Sequence, residues 1–196
     1  MKKNVLIVGA GGVAHVAAHK CAQHNDVLGD ICIASRTQKK CDAIIESVQR
    51  KKSVKDPSKK IYSRSIDALD VASTVKLIRE TKSEIVINLA QAYVNMSLLE
   101  ACIQARVAYM DTAIHEDPNK VCEDPPWYAN YEWKRKDRCR EAGVTAILGA
   151  GFDPGVVNAY CALAAKHHFD KIDTIDIMDV NAGSHGKYFA TNFDPE

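Results

Sequence analysis

The sequence predicts an α/β fold, a doubly wound parallel sheet, followed by the start of a second, α+β domain. Three observations carry this. Short apolar runs rich in β-branched residues alternate with helix-like stretches from Asn4 to Leu148, the signature of strand–helix–strand units with right-handed crossovers. The best four of these runs are continuous rather than alternating, as strands buried on both faces require. Beyond Gly151 the pattern changes, and an alternating run at Lys171–Val180 stands apart from the rest.

Taken in order, the predicted strands are Asn4–Val8, Asp30–Ala34, Lys60–Arg64, Ile85–Asn88, Ala108–Asp111 and Thr145–Leu148. Between them, Val13–Asn25 starts a helix at a glycine turn. Thr37–Lys51 starts at Thr37, a residue suited to N-capping, and Val71–Thr81 follows Asp70, another. Asn95–Ala105 carries Met96, Leu99, Cys102 and Ile103 at helical spacing. Tyr128–Ala142 reads as a charged surface helix closed by Gly143, and Glu116–Pro126, with its Asp-Pro and Pro-Pro steps, as a loop. Pro154 suits the start of a helix over Gly155–Phe169. Lys171–Val180 then reads as a strand with Ile172, Ile175, Ile177 and Met178 among polar residues. A lone strand cannot bury its own face, so residues 1–170 are expected to form one domain and 171–196 the beginning of another.

Composition narrows the function. With 26 Lys+Arg against 25 Asp+Glu, the net charge is +1, which lacks the clustered positive charge of a nucleic-acid binder. The one basic stretch, Arg50–Lys60, surrounds Asp56-Pro57-Ser58 and reads as a solvated loop. No apolar run is long enough to span a membrane, and the short run after Lys2-Lys3 ends in glycine rather than in a leader cleavage site. The 7 cysteines are odd in number, widely spaced and without C-x-x-C, so they read as reduced core thiols of a cytoplasmic protein, with no metal site.

The strongest chemical signal is Gly9-Ala10-Gly11-Gly12-Val13-Ala14, which fits G-x-G-x-x-G/A after a buried strand and at the start of a helix. Gly9 permits the tight turn, Gly11 lets backbone approach a diphosphate, Ala14 allows close helix–strand packing, and Gly12 and Val13 complete the cofactor-binding turn. The helix start at Val13 supplies free N–H groups and partial positive charge. A glycine turn without a ligand is the plain alternative; the complete βαβ context favours a dinucleotide and a Rossmann domain. The second strand ends Ser35-Arg36-Thr37, with no acid to hold a ribose 2′-hydroxyl. Arg36 is suited to a 2′-phosphate, Ser35 and Thr37 to hydroxyl contacts, and Lys39 and Lys40 add charge, so NADP(H) is predicted over NAD. Asp67-Ala68 follow the third strand at the expected adenine edge, although Asp67 equally suits a turn acid. Asn88-Leu89-Ala90 and Asp111-Thr112 close the fourth and fifth strands, on the edge where ligands of such sheets bind.

The opening turn, the Ser35-Arg36-Thr37 ending and Gly149-Ala150-Gly151-Phe152-Asp153-Pro154-Gly155 together resemble the saccharopine dehydrogenase-like family, the last segment being the more specific. Within it, Asp111–Glu116, Asn181–Tyr188 and Ala190–Glu196 are similar to the carboxynorspermidine (carboxyspermidine) dehydrogenase branch. Members of that family are about twice this length, so the resemblance implies a chain represented in part. It also implies a chemistry: putrescine or 1,3-diaminopropane condenses with aspartate β-semialdehyde, and NADPH reduces the imine. The substrates would be a small diamine and an amino-acid aldehyde, and the full-length protein a homodimer assembled through the second domain. Asp153, His115 and Tyr93 are the candidate catalytic residues, as acid, acid–base group and hydrogen-bonding or stacking group. Asp153 also suits positioning of the nicotinamide or of the turn, or a helix cap, and His115 an exposed loop histidine. His185 and Lys187 are candidates for a substrate carboxylate; His167 and His168 read as surface residues at a helix end. Two other readings stay open: saccharopine-type amino-acid chemistry, and an NADP-sensing module without turnover.

Overall fold

The protein is described by a computed structural model covering residues 3–115, 117, 119 and 130–178. It divides into two compact units, Met1–Val156 and Val157–Glu196.

The first unit is built on six parallel strands: β1 (Lys3–Val8), β2 (Leu28–Ser35), β3 (Ile61–Ser65), β4 (Ile85–Asn88), β5 (Ala108–Asp111) and β6 (Ala146–Ile147), in the order β3-β2-β1-β4-β5-β6. The order reverses between β1 and β4, where a doubly wound sheet opens a crevice at its carboxyl edge. The register Val8↔Ala34 and Val8↔Asn88 aligns the ends of the three central strands.

Continuous apolar runs make sense here because successive side chains leave opposite faces of a strand. Val5 and Ile7 of β1, with Ile31 and Ile33 of β2, enter one core; Leu6, Val8, Cys32 and Ala34 enter the other. Helices α1 (Gly12–Gln23) and α2 (Gln38–Arg50) cover the first face. The second carries α3 (Val71–Thr81) and α4 (Asn95–Ala105), with α6 (Lys136–Ala142) beside α4. Helix α1 packs closely because its buried residues, Ala14, Ala18 and Ala22, are small. Its other inward groups are polar: His15 and His19 hydrogen-bond Ser47 of α2, and His19 also reaches Ser53.

The helix signals hold unevenly. Asp70 caps α3, accepting from the Ser73 N–H at 3.0 Å, and α6 ends at Gly143 in the left-handed conformation, φ 69°. Thr37 occupies the N-cap position of α2, but its side chain makes no cap hydrogen bond; the Ser35 hydroxyl accepts the Thr37 N–H instead, at 3.3 Å. The charged helix predicted over Tyr128–Ala142 is two pieces, α5 (Asn130–Trp133) and α6. The Arg135 N–H bonds the Glu132 carbonyl three residues back, which tightens the turn and breaks the α-helical ladder. The six cysteines among the described residues are free thiols.

In the second unit, α7 (Val156–His167) forms where a helix is predicted. The strand predicted over Lys171–Val180 is not formed across 171–178, whose residues are exposed. An isolated strand has no ladder partner for its N–H and C=O groups. Most of the loop predicted at Glu116–Pro126, the first residues of the Tyr128 helix, Cys122, His185 and Lys187 lie outside the described residues. No helix among the described residues is long and apolar enough to cross a membrane.

Candidate functional site

Because every strand of the first unit runs the same way, the segments following the six strands share one edge of the sheet. Gly9–Ala14, Ser35–Thr37, Asp67–Ala68, Asn88–Ala90, Asp111–Thr112 and Gly149–Asp153 are thereby brought together, although they are scattered along the sequence.

At the centre is the glycine turn. Gly9 has φ +121°, and a Cβ there would stand 2.5 Å from the Leu89 carbonyl oxygen. The Gly9 N–H donates to the Ala34 carbonyl at 2.8 Å, and the Leu89 N–H to the Val8 carbonyl at 2.7 Å. The turn is therefore pinned between β2 and β4, and only glycine fits. At Gly11 and Gly12 the opposite holds: a Cβ would meet nothing within 4 Å. Helix α1 begins there with no side-chain cap and no acid in its first turn. Uncapped N–H groups facing open space at the positive end of a helix are what a diphosphate requires, so these residues fit a dinucleotide. Val13, 62% exposed, borders the same space, and Ala14 is buried beneath it.

Beside it, Arg36 is exposed and pairs with no carboxylate among the described residues; the Ser65 hydroxyl donates to its carbonyl at 3.4 Å. Its guanidinium is thus uncommitted. Ser35 is occupied locally, with its hydroxyl 3.1 Å from the Thr37 carbonyl and 3.2 Å from the Cys41 sulfur. Asp67 folds its carboxylate back on its own turn, accepting from the Leu69 N–H at 3.1 Å, and the neighbouring Ala68 packs against the core.

Two residues expected to face the cleft turn inward instead. Asn88 and Asp111 are each 1% exposed. Their side chains belong to a buried polar network with Asn95 and Tyr109, residues the sequence did not single out. The Asn88 amide donates to Asn95 Oδ1 at 2.7 Å and to the Tyr109 hydroxyl at 3.1 Å, while Asn88 Oδ1 accepts the Ala90 N–H at 3.1 Å. The Asn95 amide donates to the Ala113 carbonyl at 2.7 Å and to Asp111 Oδ2 at 3.4 Å. Asp111 Oδ1 accepts the Gly149 N–H at 2.6 Å. Burial wins over these donors, and the Asp111 carboxyl is pushed up to about 6, with the Glu132 charge adding to the rise. What remains at the edge from these segments is backbone together with Leu89, Ala90 and Thr112, all half-buried.

Two of the three candidate catalytic residues meet at one turn, and the third, Asp153, lies in another loop. Tyr93 lies in a 3₁₀ turn (Ala92–Val94) just before α4, half-buried against the core. His115 comes to the same turn, with its Nδ1 3.1 Å from the Ala92 carbonyl. A carbonyl only accepts, so Nδ1 carries the proton and the lone pair of the neutral ring sits on Nε2. The ring stands edge-on to Tyr131 at 4.7 Å, and the His115 N–H donates to Glu132 Oε1 at 2.8 Å. Glu132 is 4% exposed, and its second oxygen is buried with no hydrogen-bond partner among the described residues. Sequence reading missed it because a four-residue helix has no periodicity to mark a buried face. Asp153 is exposed, in a loop closed by the Val156 N–H donating to the Gly151 carbonyl at 3.1 Å. That loop is pressed on β5: a Cβ at Gly151 would stand 2.4 Å from the Thr112 carbonyl oxygen. Asp153 is exposed in this loop, three residues before the start of α7.

Residues 5–147 match the family described as saccharopine dehydrogenase NADP binding domain. The chain belongs to that family. The cofactor of this NADP binding domain is accordingly NADP(H), as its glycine turn and acid-free second strand predict. The domain is 56% identical over 98% of the chain to carboxynorspermidine synthase of Vibrio alginolyticus, and 45% identical over the same share to carboxyaminopropylagmatine dehydrogenase of Synechocystis. The chain spans 46% and 45% of those relatives, about half their length. Among solved structures, apo saccharopine dehydrogenase (L-Glu forming) of Saccharomyces cerevisiae matches 84% of this chain and 31% of its own, with a TM-score of 0.62 at 20% identity, a likeness of fold.

Proposed function

We propose that the chain is the cofactor-binding part of an NADPH-dependent oxidoreductase. Its reaction is reduction of the imine formed between a small diamine, putrescine or 1,3-diaminopropane, and aspartate β-semialdehyde, giving carboxyspermidine or carboxynorspermidine. The observation that carries this is the identity of 45–56% to polyamine-forming relatives across nearly the whole chain. The relatives' names differ in the amine, a norspermidine product in one and an agmatine product in the other, so the amine end is where substrates diverge.

When bound, NADPH supplies the hydride for the imine carbon. Gly9, Gly11, Gly12, Val13 and Ala14 would hold its diphosphate. Arg36, with Ser35 and Thr37, would hold the 2′-phosphate; Asp67-Ala68 border the adenine, and Leu89, Ala90 and Thr112 the nicotinamide side. The chain's own residues handle protons and position. An amine attacks a carbonyl only as the free base, and His115, with its lone pair on Nε2, is suited to take the ammonium proton. A protonated imine is the better hydride acceptor, and the exposed Asp153 carboxylate favours that cation. Tyr93, beside His115, orients the substrate. The second unit begins a substrate and dimerisation domain, and the full-length protein is a cytoplasmic homodimer.

Full-length protein should oxidise NADPH only when an amine and aspartate β-semialdehyde are both present. Oxidation with lysine and 2-oxoglutarate would transfer the protein to saccharopine-type chemistry. NADP binding without turnover on any amine–carbonyl pair would make it a sensor.

A further inference from the structure

Asp111 is a buried carboxylate that the proposed chemistry does not use. The Tyr109 hydroxyl of the same strand bonds it, and its other contacts tie β5 to neighbouring segments. Oδ1 accepts the Gly149 N–H at 2.6 Å, and its carbonyl accepts the next N–H, of Ala150, at 2.8 Å. The chain after β6 is thus fastened to the end of β5 at two successive residues. Oδ2 takes the Asn95 amide, at 3.4 Å, and Asn95 in turn receives the Asn88 amide at 2.7 Å. Asn88 Oδ1 fixes the Ala90 N–H at 3.1 Å, next to the Leu89 carbonyl against which Gly9 is packed. A run of hydrogen bonds, buried from Asn88 to Gly149 and part-buried at Ala90, therefore links the segment packed against Gly9 to Gly149, just before the loop carrying Asp153. Buried networks of this kind are satisfied as a unit and resist displacement.

We propose that Asp111 is a positioning residue: by holding Gly149 and Ala150 it sets the Gly151–Gly155 loop, and with it Asp153, in register with the cofactor turn. It touches neither substrate nor cofactor. For its effect on turnover, this rests on the reading of the cleft as an imine-reducing site.

Two variants separate this role from a general need for Asp111 in folding. Asp111→Asn keeps an oxygen for the Gly149 N–H but sets an amide against the Asn95 donor; Asp111→Ala removes the acceptor. Amide exchange is measured by NMR on the full chain, with Ile7 and Ile33 in the sheet centre as the folding control. The Gly149 amide should exchange at least tenfold faster in Asp111→Ala, with a smaller change in Asp111→Asn, while Ile7 and Ile33 stay protected. In full-length protein kcat should fall tenfold or more in Asp111→Ala and less in Asp111→Asn, with the KM for NADPH changed less than threefold. Unchanged Gly149 exchange in Asp111→Ala would overturn the proposal, as would wild-type kcat despite accelerated exchange. If the wild type itself turns over no amine–carbonyl pair, it is the proposed reaction that fails, and the exchange experiment still decides whether Asp111 holds the loop.

Discussion

At Gly9 one hydrogen in place of a methyl group decides whether the cofactor turn can form. Its φ of +121° is closed to other residues, and the Leu89 carbonyl leaves a Cβ no room. Gly9→Ala should cost about 2 kcal/mol or more and weaken NADP(H) binding at least tenfold, measured by urea unfolding and calorimetry; wild-type affinity would mean the turn does not hold the diphosphate. Asp111 gives a second test, through pH. Its carboxyl ionises near 6 in the folded protein against 3.8 ordinarily, so the folded state holds the proton more tightly. The stability from this group is complete below pH 3.8 and is lost as the pH rises through 6, a change of roughly 3 kcal/mol by linkage. Wild type should therefore lose stability relative to Asp111→Asn between pH 4 and pH 7, read from the urea midpoints of both proteins. A constant difference across that range would contradict the buried ionisation.

Among the elements, α1 would couple packing to function most directly, because the helix that buries Ala14, Ala18 and Ala22 also carries the uncapped amino end proposed to hold the cofactor diphosphate. Ala18→Leu should overpack that contact, costing about 1–3 kcal/mol, and by shifting the helix should weaken NADP(H) as well. Lost stability with unchanged affinity would show that the helix end is positioned independently of its packing. The elements were largely legible in the sequence because a strand buried on both faces leaves a continuous apolar run, as at Ile85–Asn88 and Ala108–Asp111, where the predicted and observed bounds agree. The failures are equally physical. The break between α5 and α6 comes from one i−3 hydrogen bond at Arg135, with no glycine or proline to announce it. The absent strand after Lys171 shows that alternation alone does not form a ladder. Asn88 and Asp111 were legible as the ends of strands, but not as inward-facing groups, because their partners, Asn95 and the Gly149 N–H, lie 7 and 38 residues away.

For the molecule as a whole, the sheet order matters more than any single helix. Reversal between β1 and β4 places the phosphate turn at the crevice, and the following strands deliver Arg36 to one side and the Asp111–Asp153 segments to the other. Sequence could reach this arrangement because the fold permits few alternatives once strands and helices alternate. It could not reach the distances between Tyr93, His115 and Asp153, which depend on turns rather than on periodic elements. The family's cofactor adds one phosphoryl group to the demands on the site, and Arg36, exposed and paired with no carboxylate among the described residues, is the residue proposed to meet it. The most direct measurement is calorimetric titration of NADP⁺ and NAD⁺ into wild type and Arg36→Ala. A charge-assisted contact of about 1.5–3 kcal/mol predicts that the variant loses roughly ten- to hundredfold in affinity for NADP⁺ while NAD⁺ binding is nearly unchanged. Equal losses for the two nucleotides, or no binding of either by folded wild type, would contradict the account.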